Sequence, residues 1–139
     1  MTLEAYNTFC ATLPHAQLVV QWGGSRVWKV SARVFAIAIV SDSPLPLITF
    51  KCSPMSFELL REQPGLIPAP YLASRGMKWI QRISLESMDD PTMQVYLRES
   101  HRLASLNLPK REQKNLGLNQ MGTASTARQV RRLKDRIYL

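Results

Sequence analysis

Histidine, cysteine and acidic residues are all scarce in this 139-residue sequence, which has two His, two Cys and ten Asp/Glu against eighteen Lys/Arg. The histidines, His15 and His101, stand alone, with no carboxylate or cysteine at a ligand or triad spacing. A zinc site draws on clusters of such residues, and a Ser/His/Asp triad needs a histidine oriented by an acid. Neither pattern is present, so both histidines are expected at surface or cap positions. Cys10 and Cys52 form no CxxC pair. In a chain without an export signal, two distant cysteines read as buried free thiols rather than a disulfide or a zinc site. Lys51-Cys52 stands at a strand end ahead of a helix, where a thiolate could be stabilised, but no histidine follows nearby and a packed thiol is the simpler reading. Paired carboxylates and a Gly-rich phosphate loop are also missing. No catalytic residue, metal, cofactor or small-molecule substrate is therefore expected. Long apolar runs are absent too. The longest, Val34 to Val40, falls far short of the roughly 18 residues of a membrane span. The opening Met1-Thr2-Leu3-Glu4-Ala5 lacks the basic start and apolar stretch of a signal peptide. A cytoplasmic protein with no membrane partner is expected.

What is abundant is positive charge, and it is unevenly spread. The net charge is +8. Residues 1–109 hold ten Lys/Arg and eight Asp/Glu, a balance of +2, whereas residues 110–139 hold eight Lys/Arg and two acids, a balance of +6. Clustered cations favour polyanionic partners such as nucleic acid. The remaining composition, 45% hydrophobic, suits a globular core of one-domain size.

The segments read as α+β. Thr2 to Thr12 is a helix with Thr2 as its cap. Leu18 to Gln21 is a short strand, and Trp22-Gly23-Gly24-Ser25 a turn. Arg26 to Val30 and Arg33 to Val40 form a hairpin around Ser31-Ala32. Both faces of its second strand are apolar, which predicts a central strand covered on both sides. Leu47 to Cys52 is another strand. Ser53-Pro54 opens a helix by cap and proline, ending near Pro64-Gly65. Residues 66–77, rich in Pro and Gly, read as an irregular connection in which Tyr71 folds back onto the domain. Lys78 to Ile83 is a last strand, bringing the expected sheet to about five. Asp90-Pro91 opens the clearest helix, its apolar stripe running through Met93, Tyr96, Leu97, Leu103, Ala104 and Leu108 with Arg98 and Arg102 opposite. Pro109 marks its end. Residues 110–125 read as a polar linker. Ser125 or Thr126 then caps a final helix, with Val130, Leu133 and Ile137 on one side and Arg128, Arg132 and Arg136 on the other.

Several pieces taken in order carry a resemblance. They are Trp28-Lys29-Val30 leading into Val34-Phe35-Ala36, then Leu47-Ile48-Thr49-Phe50-Lys51-Cys52-Ser53-Pro54. Next come Leu60-Arg61-Glu62-Gln63-Pro64-Gly65-Leu66-Ile67-Pro68-Ala69-Pro70-Tyr71, Lys78-Trp79-Ile80, and the helix with Ser100 and Leu103 running into Leu108-Pro109-Lys110. Together they resemble the MmcQ/YjbR family of small bacterial proteins over about residues 1–112. The resemblance implies an antiparallel sheet flanked by N-terminal and C-terminal helices, similar to secretion-chaperone-like folds. It also implies DNA binding through a double-wing arrangement. At the hairpin tip, where the family has Gly-Gly-Lys, this chain has Ser31-Ala32-Arg33. Neither Ser nor Ala favours the positive φ of a tight hairpin turn, while Arg33 keeps the charge. Residues 113–139 extend past the family's usual end as a basic extension of linker and helix.

The candidate nucleic-acid contacts are Arg26, Lys29 and Arg33 on the hairpin and Arg128, Arg131, Arg132 and Arg136 in the tail. A cationic ribbon can lie in a DNA groove and bind phosphate; the plainer reading is a solvated hairpin. The tail arginines either track phosphates or face water while Val130, Leu133 and Ile137 dock on the domain. Arg75, Lys78 and Arg82 form a second basic group, read more simply as an amphipathic edge strand protected by lysine. Trp22, Trp28 and Trp79 could stack on bases, although core packing is the commoner role. The leading expectation is a non-enzymatic protein binding DNA mainly through phosphate, with weak sequence specificity. The alternative is a chaperone-like adaptor with a protein partner.

Overall fold

The computed structural model describes residues 1–120. The tail arginines Arg128, Arg131, Arg132 and Arg136, and the helix expected around them, lie outside the described residues.

Local capping chemistry starts three helices. The Thr2 hydroxyl accepts from the Ala5 N–H at 3.1 Å to open α1 (Leu3–Ala11). Ser53 accepts from the Ser56 N–H at 3.1 Å ahead of Pro54 to open α2 (Pro54–Leu60). In α3 (Asp90–Ser105) the cap is Asp89, one residue earlier than expected, and its carboxylate accepts from the Thr92 N–H at 2.9 Å. Pro109 does not close α3. It precedes a further helix, α4 (Lys110–Asn115), where a linker was expected. Gln113 explains why so polar a segment is ordered: it is buried, and its amide donates to the Leu108 carbonyl at 2.7 Å. Leu118 then joins the core and Leu116 packs against it. The expected division after residue 112 therefore falls inside α4.

Six strands pair antiparallel in the order β1-β2-β3-β4-β6-β5. They are β1 (Ala16–Gln21), β2 (Ser25–Val30), β3 (Arg33–Ile39), β4 (Leu47–Lys51), β5 (Leu66–Pro68) and β6 (Trp79–Arg82). The unexpected strand is β5, inside the Pro-rich stretch. An edge strand tolerates proline because one row of its N–H groups has no ladder partner. It is β5, not β6, that lies at the edge, so the edge-strand reading of the Lys78–Arg82 segment is corrected.

The register sorts side chains onto two faces. Ala36 and Ala38 on β3 stand opposite Phe50 and Ile48 on β4, and Ile80 on β6 stands opposite Phe50. These residues share the core with Tyr6 and Cys10 of α1, Phe57 and Leu60 of α2, and Met93 and Leu97 of α3. The helices thus cover one face, and the small alanines let α3 approach. The other face, carrying Ile37, Ile39, Thr49 and Gln81, lines an open cleft. The expectation that β3 is fully covered on both sides fails there.

The joint between α3 and the sheet is Ser100, a residue with no solvent exposure. Ladder pairing of β3 with β4 stops at Ala36 and Phe50. At the next position the Ser100 hydroxyl accepts from the Lys51 N–H at 2.8 Å and donates to the Phe35 carbonyl at 2.6 Å. Phe35 is the extra residue of a bulge, since Trp28 pairs with Ala36 while Lys29 pairs with Val34. Ser100→Ala would leave two buried backbone groups without a partner. We expect it to lower the unfolding free energy by about 3 kcal/mol, since each orphaned group costs about 1–3 kcal/mol. A urea titration checks this, and a midpoint unchanged from the parent chain would refute the joint.

Candidate nucleic-acid interface

The three hairpin cations do not act as one row. Arg26 lies near the β1–β2 turn, where its guanidinium donates to the Gly24 carbonyl and its own carbonyl accepts from the Tyr6 hydroxyl at 2.8 Å. Arg26 stands opposite Ala38 on the helix-covered side. Lys29 is on the opposite face of β2, and Arg33 sits exposed at the other end of the hairpin. Ser31, at the tip, takes φ 53°. A non-glycine residue there is disfavoured by about 1–2 kcal/mol. Its hydroxyl compensates by donating to the Glu112 carboxylate of α4.

That tether sets α4 beside the hairpin tip. Lys110, Arg111 and Lys114 of this helix are all exposed, Arg33 lies just past the same tip, and Lys29 stands on the other face of β2. Lys51, at the end of β4, lies near Arg33. Its pKa is lowered by burial first and then by the Arg33 charge. None of these six cations has an ion-pair partner among the described residues. Unrelieved like charges are where a bound anion is most stabilising. Sequence reasoning missed Lys51, because its proximity to Arg33 arises in the fold and not along the chain. It also left Lys110, Arg111 and Lys114 in a linker.

The second basic group dissolves. Arg82 is buried, donating to the Met88 carbonyl at 3.2 Å and lying 3.8 Å from Asp90. Lys78 rests 4.8 Å from the Phe57 ring centroid. Arg75 stays exposed on a short 3-10 helix, Ala73–Arg75.

The aromatics divide. Trp28 is buried with its indole N–H donating to Asn7 Oδ1 at 2.9 Å, and Trp79 is buried too. Trp22 is 64% exposed and Tyr71 84% exposed, so neither packs inward as expected. Both line the open cleft of about 580 Å³ on the uncovered sheet face, together with Ile37, Thr49, Gln81 and Arg75.

His101 is not at the surface. It is buried against Phe35, the rings edge-on at 5.1 Å, and its Nε2 lies 2.7 Å from the Pro14 carbonyl. The neutral ring must donate there, and burial holds its pKa below the ordinary 6.5. His15 is exposed, as expected, with Nε2 2.8 Å from the Leu116 carbonyl. Cys10 and Cys52 are free and buried. Burial raises both thiols, Cys52 to about 12 against a smaller opposing effect of Lys78.

Two measurements follow from these groups. The depressed His101 value means the unfolded chain binds more protons. Stability should be full above pH 6.5 and decline as pH falls through that value. His101→Gln should flatten this slope in urea midpoints taken from about pH 7 to 5. Neither thiol should react with iodoacetamide in the native protein at pH 8, and both should react in denaturant. Fast native alkylation would contradict the packed-thiol assignment.

The comparisons agree with this architecture. DR2400 of Deinococcus radiodurans, a protein with the DUF419 domain, superposes with a TM-score of 0.73 at 24% identity, over 84% of this chain and 88% of that one. A protein from Pseudomonas syringae superposes with a TM-score of 0.60 at 17% identity, over 75% and 99%. At such identities the likeness speaks to the fold. No curated protein matches the chain. The YjbR family model matches residues 11–103, which span β1 through most of α3, and the chain belongs to the YjbR family.

Proposed function

We propose that this chain is a non-enzymatic, cytoplasmic DNA-binding protein that grips phosphate with weak sequence specificity. What supports the reading is the set of cations on the β2–β3 hairpin, the end of β4 and α4, none of which has an ion-pair partner among the described residues, with α4 tied to the hairpin by Ser31 and Glu112. Lys29, Arg33 and Lys51 come from the sheet, and Lys110, Arg111 and Lys114 from the helix tied to it by Ser31 and Glu112. The tail arginines Arg128, Arg131, Arg132 and Arg136 add charge to the same end of the sequence. Arg26, turned back onto Gly24, is the weakest of the hairpin candidates.

A second reading has its own support. The outer edge of β1, Ala16-Gln17-Leu18-Val19-Val20-Gln21, carries no charge, and Leu18 and Val20 are exposed. Such an edge accepts a strand from a protein partner. A stable protein captured without salt-sensitive nucleic acid would favour the adaptor.

The test is a mobility-shift titration on duplex DNA across salt concentrations. Replacing Arg33, Lys110 and Arg111 by alanine should weaken binding equally on unrelated sequences. It should also reduce the slope of log K against log salt by about 0.9 per lost phosphate contact. No binding of any nucleic acid at low salt would end the proposal.

A further inference from the structure

Two residues flanking the open cleft hold backbone conformations that bulky side chains avoid. Trp22 has φ 51° in the Trp22-Gly23-Gly24 loop between β1 and β2. Tyr71 has φ 69° at the centre of a turn closed by the Leu72 N–H donating to the Pro70 carbonyl at 2.8 Å, the strained hand of the γ-turn. Each such residue costs about 1–2 kcal/mol relative to glycine. Both are aromatic, both stand mostly in solvent, and both line the same cleft. Packing does not explain them. Backbone strain of this kind collects at ligand sites.

The cleft floor points to the ligand's chemistry. Gln81 is 4% exposed, and its amide donates to Thr49 Oγ1 at 3.2 Å. Its carboxamide oxygen has no partner among the described residues. A glutamine amide offers one donor and one acceptor in a plane, the pattern that reads a nucleobase edge. Aromatic rings flanking such a group suit a planar ligand. The rim carries Arg75, and no acid among the described residues lines the cleft, so an anionic group on the ligand would meet a cation and no carboxylate there. Thr49 and Lys51 alternate on β4, as Val27 and Lys29 do on β2. The cleft and two of the unpaired cations therefore share one sheet face, about 7 Å apart along β4.

We propose that this face takes a nucleic-acid strand with unpaired bases. One base enters between Trp22 and Tyr71 and meets Gln81 with its hydrogen-bonding edge. Its phosphates are drawn to Arg75 on one side and to Lys51 and Lys29 on the other. This rests on the phosphate-binding reading above and adds to it a preference for single strands. Stacking plus a cationic track is how sequence-tolerant single-strand binders work.

The experiment titrates the full chain with single strands of about 15 nucleotides, as dT, as rU and as an abasic deoxyribose-phosphate strand, alongside a duplex. Tryptophan emission and anisotropy are read together. Trp22 is the exposed indole among three, so quenching reports the cleft. Base-bearing strands should quench and bind, with the dT and rU arms telling whether the strand is DNA or RNA. Trp22→Asn and Tyr71→Asn should each weaken these strands about tenfold, the effect of one lost stack, and leave duplex and abasic binding unchanged. Asn tolerates positive φ, so both variants should melt no lower than the parent. Gln81→Met should change the ranking among bases without loss of duplex binding. Equal affinity of the parent and the two Asn variants for dT and rU overturns the cleft assignment and leaves the phosphate reading standing. Failure of every strand and duplex to bind overturns both.

Discussion

One hydroxyl joins α3 to the sheet between β3 and β4. Ser100 of α3 stands between β3 and β4 at the point where their ladder would continue, bonded to Lys51 N–H and to the Phe35 carbonyl. A direct strand-to-strand bond there would keep the two strands together to their ends. With the serine inserted, they separate past Ala36 and Phe50. The bulge at Phe35 supplies the matching irregularity on the β2 side, since a bulge bends its strand and increases local twist. Three consequences follow from that local exchange. The hairpin tip reaches α4 through Ser31 and Glu112. The Phe35 ring turns into the core against His101. Lys51 ends in a half-buried position beside Arg33.

The helices then decide which face stays open. Tyr6, Phe57 and Leu97 come from three separate helices, yet all pack on the face that holds Ala38, Ile48 and Ile80. None of the four α-helices among the described residues contributes a residue to the cleft on the opposite face. The segment from Ala69 to Met77 covers part of it, hydrogen-bonding to β6 through the Ala69 N–H and the Trp79 carbonyl. Gly65 permits the neighbouring approach of β5. Its φ is 80°, and an added Cβ would stand 2.3 Å from Ser84 Oγ. What remains uncovered between this segment and the β1–β2 turn is the cleft.

Much of this was legible in the residues, and the misses have physical causes. Thr2 and Ser53 announced their helices because a cap is a local contact. The apolar run in β3 correctly gave a central strand, but alternation cannot say whether both faces are covered. Proline hid β5, an edge strand in which Pro68 needs no N–H. Pro109 was read as a stop although proline equally begins helices. The apolar stripe expected in α3 includes Leu103 and leaves out Ser100 and His101. The buried set in fact includes Leu97, Ser100, His101 and Ala104, at the spacing of one helical face. Both polar members are satisfied by backbone carbonyls from elsewhere in the chain, which no single-sequence pattern displays. The cation cluster was legible only in part. Arg33 and Lys110 lie far apart in sequence, and only the Ser31–Glu112 contact ties the hairpin of the one to the helix of the other.

Strain and charge give independent reasons to place a ligand on the same face. Positive φ at Trp22 and Tyr71 lowers stability, and asparagine or glycine would relieve it. Lys51, half-buried and next to the Arg33 charge, lowers it as well. A chain optimised for folding alone would keep neither. Each arrangement is relieved by a different part of one molecule, since a planar base gives the two rings a partner and a phosphate gives the cations one. A duplex satisfies only the second, because its bases are already stacked and paired. The two kinds of unspent interaction point jointly to a strand whose bases are free.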